Sequence, residues 1–315
     1  MCKAAPSLAI FALALPLLAA APAQAQVPRT WVSGTGDDNS PTCSRTAPCR
    51  TFQVAQDRTA PGGEINCLDP GEFSSENPFF PGNFAGMSIT KSITISCEAG
   101  TAGVRVQGDG QVGVFVLAAP TDVVTLRGLD IQGTGGKTTG IFIFSAMAVH
   151  VEKSTIRSLG EGIDVTGSST TFLFIEDTVI SDNSGGVLID GSEGGFKVAS
   201  LKNVMITGST FDGLLVRGSN VYVNVTKSII AGNAGSAVNV AASSSTVNIE
   251  RSMIANNAVG LNASASGSII RASLNYLLNN TNNLSRGIGA QIASDNLNRA
   301  SVSGPVFPNA SFIVE

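Results

Sequence analysis

Val151-Glu-Lys-Ser-Thr-Ile156 is followed by Ile175-Glu-Asp-Thr-Val-Ile180 and Leu201-Lys-Asn-Val-Met-Ile206. The phrase returns as Val225-Thr-Lys-Ser-Ile-Ile230 and Ile249-Glu-Arg-Ser-Met-Ile254. Leu126-Arg-Gly-Leu-Asp-Ile131 precedes the series, and Ala272-Ser-Leu-Asn-Tyr-Leu277 ends it in degenerate form. From Ile131 to Leu277 the last residues lie 25, 24, 26, 24, 24 and 23 positions apart. A period in this range marks one structural unit stacked on copies of itself. Each copy roofs the one below, so a continuous dry interior grows by adding units.

Within one unit the pattern alternates with period two between Gly, Ser and Asn, which is the signal of short strands. Val149-His-Val151, Ser154-Thr-Ile156 and Gly162-Ile-Asp-Val165 are three such pieces of one turn. Three strands per turn predict a triangular coil, with successive turns paired in parallel about 4.8 Å apart. The third strand also repeats, as Gly140-Ile-Phe-Ile143, Gly162-Ile-Asp-Val165, Gly186-Val-Leu-Ile189, Gly213-Leu-Leu-Val216, Ala237-Val-Asn-Val240 and Gly260-Leu-Asn-Ala263. Its leading Gly is expected to allow a corner at positive φ. Asp182-Asn183, Asn233, Asn256-Asn257 and Asn279-Asn280 recur at corners and predict a ladder of stacked amides.

Residues 1–25 read as a signal peptide. Lys3 gives the positive start, Leu8 to Ala21 is an apolar run, and Ala23-Gln24-Ala25 is a small-x-small cleavage site. The run is short for a membrane anchor, and no later stretch reads as a membrane span. The mature chain is therefore expected to begin at Gln26 and to be exported, to periplasm, medium or cell surface. Export makes disulfides permissible. Cys43, Cys49, Cys67 and Cys97 allow three pairings, of which Cys43–Cys49 and Cys67–Cys97 are favoured. Residues 26–100 are expected to form an N-terminal cap and the first irregular rungs. A short amphipathic helix after Cys49 would carry Phe52 and Ala55 over the open end of the core. The regular repeats occupy 101–290, and 291–315, with Pro305 and Pro308, suits an irregular cover.

The chain has a net charge of −4 and only 13% charged residues, which gives no electrostatic case for nucleic acid. Taken together, Trp31-Val-Ser-Gly-Thr-Gly-Asp37, Ala47-Pro-Cys-Arg-Thr-Phe-Gln53 and the Asn-punctuated repeats resemble the right-handed parallel β-helix proteins of the pectin-lyase-like superfamily. The resemblance implies an all-β, single-stranded right-handed parallel β-helix over nearly all of the mature chain. It implies little about activity, because the superfamily holds lyases, glycosidases, esterases, epimerases, tailspikes and adhesins.

That superfamily often carries its site on the outer face of the Gly-led strands. Here Phe142, Asp164, Leu188, Leu215, Asn239 and Asn262 form one expected outward column. Phe144, Thr166, Asp190, Arg217, Ala241 and Ser264 form the next. Asp164, Asp190 and Arg217 are therefore the candidate catalytic residues. The two carboxylates would stand about 8 Å apart from strand geometry, within the span of about 6.5–9.5 Å expected of an inverting glycosidase. The plainer expectation is an Asp190–Arg217 surface ion pair. The Asn-Thr-Asp, Asp-Asp and Gly-His-Gly motifs of polygalacturonase-like glycosidases do not occur.

A lyase needs a base and a cation beside a uronate. Arg127, Lys153, Lys202, Lys227 and Arg251 alternate with Glu152, Glu176, Asp177 and Glu250, which reads as a solubilising charge ladder. His150, the single histidine, is expected to point outward beside Thr125 and Phe174. Gly133-Thr-Gly-Gly-Lys-Thr138 lacks the first glycine of a phosphate loop and reads as a long corner. No cofactor and no metal is expected. The sequence thus describes a carbohydrate-associated binding or structural module, with a polysaccharide hydrolase or lyase as the alternative. A polysaccharide is the expected partner, and the oligomeric state is left open.

Overall fold

The structure is a computed structural model that describes residues 26–74, 84–295, 297–301 and 310–311. The signal-peptide reading of residues 1–25, and Pro305 and Pro308, lie outside the described residues. The described chain winds into about nine turns whose strands form three parallel sheets of 12, 9 and 10 strands. The strands of one turn are Ala148–Glu152 in the first sheet, Thr155–Arg157 in the third and Glu161–Val165 in the second.

Register is kept at every rung of the repeat. Ile131, Ile156, Ile180, Ile206, Ile230, Ile254 and Leu277 stand in one file, each paired with the next. All seven are buried. Burying one such side chain contributes about 1.5–3 kcal/mol. Val151, Ile175, Leu201, Val225 and Ile249 make a second file in the first sheet. Ile163, Val187, Leu214, Val238 and Leu261 make a third in the second sheet. The interior is therefore three aliphatic columns facing one axis.

The Gly-led corners differ from the sequence expectation. Gly140, Gly162, Gly186, Gly213 and Gly260 do not have positive φ. Their lack of a side chain is a matter of space: a Cβ on Gly162 would lie 2.8 Å from Ile180 Cγ2, and one on Gly186 would lie 2.6 Å from Ile206 Cγ2. The backbone carbonyl of the next rung would be nearer still to that Cβ, at 2.5 Å for Gly162 and closer for Gly186, so the glycines make room for that backbone and for the isoleucine file together. The left-handed backbone sits instead at the corner just before the Gly-led strand, where Ser158, Asp182, Gly208, Gly232, Asn256 and Asn279 have positive φ, and again at the corner before it. There Lys153, Asp177, Asn203, Lys227, Arg251 and Leu274 have φ of 48°, 52°, 54°, 52°, 49° and 55°.

The expected amide ladder is present. Asn233 Nδ2 donates to Asn257 Oδ1 at 2.9 Å, and Asn257 Nδ2 donates to Asn280 Oδ1 at 2.9 Å. Asn183 Oδ1 and Asn233 Oδ1 accept from the Leu159 and Ser209 N–H groups of neighbouring rungs. These four asparagines are buried, and the ladder satisfies them. A second ladder at the other corner was not foreseen. Ser154, Thr178, Ser228, Ser252, Asn275 and Asn298 accept in turn from the N–H of the rung before. Hydroxyls carry most of it, and Ser and Thr are too common in turns to announce a ladder by themselves.

At the N-terminal end, Phe52–Arg58 is a helix capped by Thr51, whose hydroxyl accepts from the Val54 N–H. Phe52, Ala55 and Gln56 are its buried residues, and the Phe52 and Phe73 rings meet at 5.1 Å. Gln53 Oε1 accepts from the Ser88 N–H of the strand Phe84–Ile89, the first of the second sheet. Cys43–Cys49 and Cys67–Cys97 are both bonded, with Cα atoms 4.8 and 5.0 Å apart. No helix among the described residues is long and apolar enough to cross a membrane.

Candidate functional site

The outer face of the second sheet brings the acidic residues together. Phe142, Asp164, Leu188, Leu215, Asn239 and Asn262 are register partners in sequence, as the repeat predicts. Asp190 faces Arg217 on the next rung. The two do not form an ion pair: among the described residues the six ion pairs are elsewhere. Asp190 Oδ1 instead accepts from the Ser192 N–H at 2.8 Å, a turn contact that follows directly from the corner after its strand.

Arg217 lines an open groove of about 320 Å³. Gly185, Gly186 and Val187 form its floor, with Glu161, Phe211, Asp212 and Leu215 around it. Asp164 and Asp190 flank this groove and are not among its lining residues. Glu161 and Asp212 were therefore missed by sequence reasoning. Glu161 begins its strand just before the Gly that was taken as the corner, and Asp212 lies in a loop before Gly213. The signal that could have found Glu161 is its pairing with Gly185 one rung on, a carboxylate facing a residue without a side chain.

Burial and neighbouring charge shape the electrostatics. Desolvation pushes the Glu161 carboxyl up to about 7, reinforced by Asp164 and Asp212 and opposed by Arg217. Desolvation likewise pushes Asp164 up to about 6, with Asp190 reinforcing and Arg217 opposing. Asp164 Oδ1 is enclosed and has no hydrogen-bond partner. Asp212 is well satisfied: Oδ1 accepts from the Ser236 N–H at 2.6 Å and Oδ2 from Asn239 Nδ2 at 2.8 Å. Phe211 stands 68% exposed at the groove, an aromatic face that no core contact explains. A carboxyl near neutrality, a guanidinium and an exposed ring in one groove can bind a polyhydroxylated ligand by hydrogen bonds and stacking.

The other candidates are structural. His150 stacks on Phe174 with ring centroids 4.7 Å apart, between Thr125 and Phe174 in register. The charge ladder pairs across rungs, as Arg127 with Glu152 and Lys202 with Glu176. Gly133–Thr138 is a long corner in which Gly135 and Gly136 have positive φ, and a strand, Thr139–Ser145, follows it. Among the described residues no group of three or more His, Cys, Asp or Glu is placed to hold a metal ion.

The comparisons agree with this architecture. Among solved structures, pectate lyase Pel9A matches with a TM-score of 0.64 at 16% identity, over 91% of this chain and 79% of that one. A GH136 lacto-N-biosidase from Eubacterium ramulus matches with a TM-score of 0.50 at 10% identity, over 91% of this chain and 67% of that one. The mannuronan C-5 epimerase AlgE4 A-module of Azotobacter vinelandii has a TM-score of 0.44 at 14% identity, covering 90% of this chain and 100% of that one. At these identities the likeness to the first two is one of fold. No curated protein matches the sequence. The family model described as "Right handed beta helix region" matches residues 112–282. The chain belongs to that family, and its parallel solenoid is a right-handed β-helix.

Proposed function

We propose that this chain is an exported carbohydrate-binding β-helix whose ligand lies across the groove floored by Gly185–Val187. One observation carries the reading: Phe211, 68% exposed, stands beside Glu161, Asp212 and Arg217 in the same groove. An aromatic face with convergent polar groups is the usual way to hold a sugar ring, apolar on its C–H face and polar at its rim. The two disulfides support an oxidising compartment and hence export. Titration of the full chain with a panel of neutral, acidic and amine-bearing oligosaccharides tests the reading. Phe211→Ala is expected to weaken whichever glycan binds by about tenfold, the equivalent of one stacked ring. Binding to no glycan, or binding indifferent to Phe211→Ala, overturns it.

A second reading is favoured by the Glu161 carboxyl, which holds its proton up to about pH 7. A glycoside hydrolase needs such a group as general acid. Asp164 or Asp190 would then be the ionised partner, and Arg217 would stabilise it. Release of reducing ends that Glu161→Gln and Asp190→Asn each abolish would establish hydrolysis. Binding without product release would leave the binding module.

A further inference from the structure

The groove differs from a uronate site in its balance of charge and of hydrogen-bonding groups. Glu161, Asp164, Asp190, Asp212 and Glu193 surround this stretch. Against them stand two cations. Lys197 is buried, with Nζ donating to the carbonyls of Gly167, Ser169 and Gly194 at 2.8, 2.6 and 3.2 Å, so no donor is left for a ligand. Among the described residues Arg217 is the one cation lining the groove, and its field falls on Glu161 and Asp164.

The acceptors are unevenly used. Both Asp212 oxygens are engaged by Ser236 and Asn239, and Asp190 Oδ1 by Ser192. Glu161 accepts no hydrogen bond from any described residue, though it lines the groove with its carboxylate against Gly185. Among the described residues the wall carries more carboxyl groups than cations, although the Arg217 guanidinium, in none of the ion pairs, still offers donors. An ammonium supplies three donors and no acceptor. A ligand carboxylate would bring like charge against like, the arrangement that interfaces use to reject a partner.

We propose that the groove selects an amine-bearing sugar over a uronate, with Glu161 receiving the ammonium and Phe211 stacking on the ring. This rests on the carbohydrate reading above and names the ligand class of the same site. It also separates this chain from pectate lyase Pel9A, whose fold it shares.

The test is calorimetric titration of the full chain, at neutral pH and low salt, with glucosamine, N-acetylglucosamine and galacturonate oligomers of equal length. The glucosamine oligomer is expected to bind about tenfold more tightly than its acetylated form, and galacturonate weakest. Glu161→Gln is expected to remove the preference for the free amine, so that the free and acetylated oligomers bind the variant alike. Circular dichroism checks that the variant keeps its strands. Equal binding of the free and acetylated oligomers, or tightest binding of galacturonate, overturns the proposal and leaves the groove a carbohydrate site. Binding of none of the three overturns the carbohydrate reading, and this proposal falls with it.

Discussion

The carboxylate of Glu161 lies over the backbone of Gly185 on the next rung, so closely that a Cβ at 185 would overlap it. The bare glycine is what lets a carboxyl fold back against the sheet and leave water. Gly235 serves Asp212 in the same way, since its Cβ would lie 2.6 Å from Asp212 Oδ1.

Gly185→Ala therefore displaces Glu161 into solvent. The Glu161 carboxyl is expected to fall from about 7 toward its ordinary range, as its main perturbation is desolvation. Side-chain NMR titration reads this directly. Because the added methyl meets only the end of the flexible Glu161 side chain, the fold itself is expected to be little affected, with unchanged denaturant midpoints near pH 4.5. An unchanged titration would show that the glycine does not set the burial.

The raised Glu161 carboxyl makes stability depend on pH. Below the ordinary Glu range, folded and unfolded chains both hold the proton. Between about 4.5 and about 7 the unfolded chain releases it first, so stability falls as pH rises through that window. Glu161→Gln cannot ionise. It is expected to be more stable than the parent above about pH 7, by about 1 kcal/mol once partial solvent screening is allowed for, and to lose this advantage near pH 4.5. Thermal melts of both proteins across that range decide it. Asp164→Asn should behave alike over a lower window, from 3.8 to about 6.

Asn257 joins three rungs. Its Oδ1 accepts from both Asn233 N–H and Nδ2, while its Nδ2 donates to Asn280 Oδ1 and the Ile230 carbonyl. Asn257→Ala leaves buried groups of Asn233 unpaired, at about 1–3 kcal/mol each. The pair Asn248–Asn224, bonded at 2.8 Å but exposed, is the control. Asn248→Ala is expected to cost under about 1 kcal/mol. Equal losses for the two variants in urea melts would contradict the ladder's role.

Leu274 is a branched apolar residue at φ 55°, in a corner position that Asn203 occupies three rungs earlier. Asn tolerates the left-handed region better than Leu. Leu274→Asn is expected to stabilise the chain by about 0.5–1 kcal/mol, seen as a higher melting temperature. A lower one would mean that Leu274 packing outweighs the backbone term.

The pattern of inward residues was legible because a strand's side chains alternate and a repeat carries the same alternation to every rung. Ile156, Ile180 and Ile206 could be placed in one file from spacing alone. The Asn ladder was legible for the same reason, and the two disulfides lie where chain order suggested. The Ser and Thr ladder was hidden, because a hydroxyl in a turn looks the same whether it faces water or the next rung. The glycines at 162 and 186 were located correctly and explained wrongly. Sequence shows that a Cβ is absent, and only the packed isoleucine and backbone beside it show why.

For the candidate site the division is sharper. Asp164, Asp190 and Arg217 could be put on one face, because register is a matter of counting. Which carboxyl is dry and which bonds a turn could not be counted. Glu161 and Arg217 are 56 residues apart in sequence, and they share a groove because the coil brings every third sheet strand back over its predecessor. The periodicity of the chain by itself determined that there is a solenoid and which residues line its core, since burial of a repeating apolar face admits one way of stacking. That Glu161 and Phe211 line one groove, the first desolvated and the second exposed, was left to the tertiary structure, because exposure and desolvation depend on what the neighbouring rungs leave uncovered.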